Sequence, residues 1–162
     1  MSRVAQGLNF SLFRNNIVEI SKAKEEKGEK SSVSNDIIKS IIERNGTSLD
    51  KDDLNAIASL IKNIKDVKGE IDNEGYVICY YALSKYNRNS YNKEGTVGAG
   101  SDKVMFSTRN SEDLKKFGDT ILKLKIPIEK LFFTASTKKE ILLKIPFRSS
   151  NRKLNIKKYV IK

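Results

Sequence analysis

The apolar positions change their period near residue 75. Before it they recur at helical spacing. Ile37, Ile38, Ile41 and Ile42 form one stripe, and Leu54, Ile57, Ala58, Ile61 and Ile64 form a second. Each stripe predicts a helix that turns one face toward a core. Ser34 or Asn35 caps the first helix, and Asn45-Gly46 stops it. The second opens at Asp50, carries Asp52 and Asp53 where they favour the positive end of the dipole, and closes at Gly69. Upstream, residues 8–20 mix apolar and polar types and predict a short helix, followed at 23–34 by a polar linker of Lys, Glu and Ser.

From Gly75 onward, β-branched and aromatic runs predict strands at residues 76–81, 104–106, 121–126, 131–134, 141–145 and 154–161. Residues 87–100 read as a long loop and residues 111–117 as a short helix capped by Asn110 or Ser111. Pro127 and Pro146 fall just past strand ends, where a missing N–H does little harm. Helices first and a meandering sheet afterwards predict the α+β class. The expected architecture is one domain over residues 1–162: a mainly helical part, 1–72, packed on a mostly antiparallel, strongly basic sheet in 73–162.

Charge sharpens this division. The chain carries +11, yet residues 1–102 hold 15 basic and 15 acidic side chains, while residues 103–162 hold 16 and 5. The whole excess lies in the strand-rich part, which points to an anionic partner such as a nucleotide, a phosphate backbone, a membrane surface or an acidic protein. Histidine is absent and Cys79 is the single cysteine. Triads built on histidine, internal disulfides and the usual zinc constellations are thereby excluded. Any chemistry rests on carboxylates, hydroxyls, lysines, arginines or a bound cofactor. No apolar run approaches the roughly 20 residues that a membrane span needs. No classical secretory signal is recognisable either, so the expected location is cytoplasmic or, after delivery, the cytosol of a target cell.

The strand-rich part carries an ordered set of motifs. Phe106-Ser107-Thr108-Arg109 ends one strand, a helix follows to Phe117-Gly118, and the next strand runs to Ile126 just before Pro127. Later, Lys138-Lys139-Glu140 leads into Ile141-Leu142-Leu143. This order resembles that of mono-ADP-ribosyltransferases, particularly bacterial toxins and effectors, over about the last 60 residues and, more faintly, at residues 76–81. The resemblance implies NAD as cofactor and a target protein as acceptor. It implies Glu140 as the catalytic group, with Ser107 and Thr108 as its orienting neighbours. Tyr80 or Tyr91 would stack on nicotinamide, and Arg88, Arg109 and Lys103 would hold the pyrophosphate. Arg109 stands where the family usually has a second Ser, and the basic residue that usually ends an early strand is replaced by Tyr80-Tyr81. Lys138 occupies the place of the Gln or Glu that helps to select the acceptor. The substitution leaves open a different acceptor, simple NAD hydrolysis, or an inactive relative.

Two other classes fit the composition. Basic residues interleaved with Tyr86, Tyr91, Phe132, Phe133 and Tyr159 suit a nucleic-acid-binding or ribonuclease-type toxin. The same surface suits a non-catalytic adaptor or inhibitor that docks an acidic partner. Taken singly, Ser107-Thr108 is a strand end and Glu140 an exposed charge; their order carries the transferase reading.

Overall fold

A computed structural model describes residues 35–98, 102–147 and 152–161. The expected helix at 8–20 and the linker at 23–34 lie outside the described residues. Two helices come first, α1 (Asn35–Asn45) and α2 (Lys51–Asp66). Strand β1 (Tyr76–Leu83) is followed by helix α3 (Lys85–Glu94), β2 (Thr96–Gly98) and β3 (Lys103–Ser107). A 3-10 turn at Glu112–Lys116 leads to β4 (Thr120–Pro127), and a second at Ile128–Lys130 leads to β5 (Phe132–Ser136). Strands β6 (Ile141–Pro146) and β7 (Lys153–Asn155) complete the set, with a last 3-10 turn at Lys157–Tyr159. The class is α+β, as the change of period predicts.

Both N-terminal helices follow from their stripes. Ile37, Ile38, Ile41 and Ile42 are buried on α1, as are Leu54, Ile57, Leu60, Ile61 and Ile64 on α2. Burying one such side chain stabilises the fold by about 1.5–3 kcal/mol. Asp50 caps α2 reciprocally: its carboxylate accepts from Asp53 N at 2.8 Å, and Asp53 accepts from Asp50 N at 3.1 Å. At the other end Gly69 N donates to Ile64 O at 2.8 Å and Lys68 N to Lys65 O at 3.0 Å, a paired closure that places Lys68 at φ 59°. That left-handed position usually falls to glycine, so a lysine there costs about 1 kcal/mol.

The main sheet has the antiparallel order β4-β1-β3-β6-β5. Register sorts its faces. Val77 and Cys79 on β1 align with Ile126 and Leu124 on β4, while Val104 and Phe106 on β3 align with Ile145 and Leu143 on β6. These side chains face the helices and share one apolar core with them. The other face carries Ile78, Tyr80, Lys123, Lys125 and Met105, none of them fully buried. All eight residues of β1 pair with β4, but β1 meets β3 through one pair, Tyr80 with Ser107. Beside that pair β1 is bridged by Ile71 and bonded by Glu70 O, so the stretch after α2 is wedged next to the β1–β3 joint.

An ionic cluster fastens α1 to the sheet. Glu129 accepts from Arg44 Nε at 2.6 Å, from Arg44 Nη2 at 2.7 Å and from Asn45 Nδ2 at 2.5 Å. Arg44 also donates to the carbonyls of Glu74 and Gly75 and lies 4.6 Å from the centroid of the Tyr76 ring.

Two expectations are corrected. Residues 87–100 are not a loop: α3 and β2 occupy most of the described part. Helix α3 has no buried residue, and its Asn, Ser and Tyr content gives no apolar stripe to detect. Its ends are set by Ser84, which accepts from Asn87 N, and by Gly95 at φ 75°. Asn87 ties it down, donating to Tyr81 Oη at 3.2 Å and accepting from Gly98 N at 3.1 Å. The expected strand at 154–161 is shorter, because Asn155 Oδ1 accepts from Lys158 N at 3.4 Å and turns the chain. It pairs with β2 in a separate two-stranded ribbon, so the strands do not form one simple meander. A Cβ at Gly98 would overlap the carbonyl of Arg152. Gly98→Ala is therefore expected to open the β2–β7 ribbon and lower stability by about 1–3 kcal/mol, which a urea titration would read. Among the described residues no helix is long and apolar enough to cross a membrane.

Candidate active site around Ser107 and Glu140

Ser107 ends β3, one residue before the chain leaves the sheet, and Glu140 stands one residue before β6 begins. Antiparallel pairing of Ser107 with Leu142 brings the two together. The turn between β5 and β6 is shaped by Thr137, whose Oγ1 accepts from the N–H groups of Lys139 and Glu140, both at 3.2 Å. Thr137 N closes the turn on Glu140 O at 2.9 Å. Thr108 extends the ladder past the strand end. Its N donates to Ile141 O at 3.1 Å, and its Oγ1 accepts from Ile141 N at 2.9 Å.

Ser107 Oγ donates to Glu140 Oε2 at 2.5 Å and accepts from Arg109 N at 3.0 Å. A hydroxyl has one proton, and the bond from Arg109 leaves it directed at the carboxylate. Ser107 is 1 % exposed, whereas Glu140 is only half-buried. Among the described residues no ion pair reaches Glu140, and Oε1 has no hydrogen bond. The result is a carboxylate anchored through one oxygen and available through the other. Tyr80, the β1 partner of Ser107, lies half-buried on the same sheet face.

Thr108 and Lys139, chain neighbours of the pair, line a hollow of about 450 Å³ with Arg109, Lys138 and the end of α2 from Asp66 to Lys68; Ser107 and Glu140 themselves do not line it. Among the described residues none of its four cations forms an ion pair. Lys68 belongs to the electroneutral half of the chain, and nothing in the local sequence announces that it joins this group. Thr137 carries a legible signal, a hydroxyl at the head of a polar turn, but its part in aiming Glu140 emerges only with the fold.

The remaining candidates are elsewhere. Arg88 on α3 pairs with Asp119 at 2.6 Å. Tyr91, also on α3, packs against the core with Lys157 Nζ 5.9 Å from its ring centroid. Neither is brought to Glu140 by a contact among the described residues. Lys103 starts β3, about 13 Å along the strand from Ser107, with Asp102 at 3.8 Å. Burial pushes the Cys79 thiol up to about 12, which makes it a poor nucleophile. Among the described residues no cluster of three or more acidic or sulfur side chains could hold a metal. No protein-family model, curated protein or solved structure matches the chain.

Proposed function

We propose that this protein is an ADP-ribosyltransferase-like enzyme, of effector or toxin type, that cleaves NAD between nicotinamide and ribose and passes the ADP-ribose to an acceptor macromolecule or to water. The observation that carries this reading is the bond from Ser107 Oγ to Glu140 Oε2, formed between residues 33 positions apart that the motif order singles out. As the bond to nicotinamide breaks, positive charge develops on the ribose. Glu140 would stabilise it through its free oxygen, an electrostatic role that needs no histidine. Ser107 is a positioning residue that holds the carboxylate in one orientation. Tyr80 offers a ring on the same face for nicotinamide, and Arg109 a guanidinium for the pyrophosphate. The residues present therefore fit the dinucleotide's chemistry without Arg88 or Tyr91. Lys138 and Lys139 cannot polarise an arginine or asparagine acceptor as a carboxylate or amide would, so the acceptor is of another kind.

Ser107→Ala is expected to lower the kcat of NAD cleavage by about 10- to 100-fold through loosened aim of Glu140, with KM little changed. The defining test incubates wild type and Glu140→Ala with NAD labelled on its adenylate half and a cell lysate. Transfer of label, or release of labelled ADP-ribose, by the wild type alone supports the reading. Equal products from both proteins, or none from either, overturn it.

A further inference from the structure

The hollow lined by Thr108, Arg109, Lys138 and Lys139 is one end of a longer groove. It shares Asp66, Val67 and Lys138 with a second hollow of about 320 Å³, whose far wall is Phe133. Asn63 and Phe133 continue into a third, more apolar hollow between α2 and β5. The groove thus runs beside α2 from an exposed aromatic to a cluster of cations. Phe133 is 48 % exposed although it lies within a strand. At the other end Lys68, Arg109, Lys138 and Lys139 face one lining carboxylate, Asp66. Four cations against one carboxylate repel one another, and the backbone cost of Lys68 adds to that penalty. Glycine would relieve both, so the lysine is unfavourable for folding alone. A multiply charged anionic ligand accounts for it.

We propose that this groove binds single-stranded nucleic acid, with phosphates against Lys68, Arg109, Lys138 and Lys139 and a base stacked on Phe133. Cations that follow a phosphate backbone beside an exposed aromatic ring are the physical requirements of such binding. An acidic peptide would satisfy the cations but has no use for the ring. The site stands whether or not Glu140 cleaves NAD.

The test is fluorescence anisotropy of the full chain, without NAD, on a labelled 12-nucleotide single strand in RNA and DNA forms from 50 to 200 mM salt. Four phosphate contacts predict a slope of log affinity against log salt of about −3, at about 0.7 per contact. Lys68→Gly is the informative variant. It should melt a few degrees higher than wild type yet bind about three- to tenfold more weakly, with the slope flattened by about 0.7. Phe133→Ala should weaken binding about tenfold and leave the slope unchanged. The proposal is overturned by absent binding at 50 mM salt, or by both variants binding as the wild type does. It is overturned equally if a glutamate-rich peptide of matched charge displaces the strand at equal concentration.

Discussion

Glu140→Gln is expected to slow nicotinamide release from NAD by about 10²- to 10³-fold, the loss typical of one well-placed electrostatic group. Its amide oxygen still accepts from Ser107, so the unfolding free energy should change by no more than the roughly 0.5 kcal/mol of a benign substitution. The informative comparison is the double variant. Ser107 acts on the reaction only through residue 140, and its alanine substitution should add almost nothing once Glu140 is glutamine. Residues that act as a unit show this non-additivity. If the two losses multiplied, Ser107 would have a separate role in the reaction and the account of it as a positioning residue would be wrong.

The largest expected effect on stability lies on the other side of the sheet from this chemistry. Glu129 has a side chain only 6 % exposed and holds Arg44, itself 23 % exposed, at 2.6 Å. Glu129→Ala would remove the one carboxylate that Arg44 and Asn45 share, leaving Arg44 the carbonyls of Glu74 and Gly75 and Asn45 that of Ile41. It is expected to cost about 3 kcal/mol, the low end of the range for breaking a buried pair. Burial alone would raise the Glu129 carboxyl, but the hydrogen bonds and charge of Arg44, together with the Asn45 bond, outweigh it and hold the group below its usual range. A carboxyl lowered in the folded state contributes stability that is fully present above its unfolded value, about 4.3, and is lost as pH falls through the folded value. The gap in stability between wild type and Glu129→Ala should therefore be full at pH 6 and narrow steadily below about pH 4.5. Denaturant titrations at pH 6, 4 and 3 would show this. A gap that stayed constant to pH 3 would exclude the Arg44–Glu129 bond as its source.

Much of the fold is legible in the chain because its signals are local. The isoleucine stripes of α1 and α2 give period, face and extent at once, and Asp50 and Gly69 mark the ends of α2 correctly. Strands β1, β3, β4 and β6 announce themselves as apolar runs. Helix α3 is hidden for the converse reason. It buries nothing, and polar bonds from Asn87 to Tyr81 and Gly98 hold it, so only its caps, Ser84 and Gly95, record it.

The site divides in the same way. Ser107, Thr108 and Glu140 are readable as an ordered motif, and the register of β3 on β6 brings them into contact. Arg88 and Tyr91 resemble site residues only by their basic and aromatic types, and α3 carries both toward other partners. Lys68 could not be found from the sequence. Its place beside Lys138 depends on where α2 ends against Thr108, a tertiary fact, and its left-handed backbone appears only in the fold. The charge asymmetry is readable as a sum, but the cluster that faces the groove draws on both halves of the chain.

One experiment bears on the central arrangement most directly: determining the structure of Glu140→Gln with NAD bound. The account predicts a hydroxyl of the nicotinamide ribose within about 3 Å of the residue-140 side chain, with the nicotinamide on the sheet face that carries Tyr80. A dinucleotide seated elsewhere, its ribose out of reach of residue 140, would contradict it.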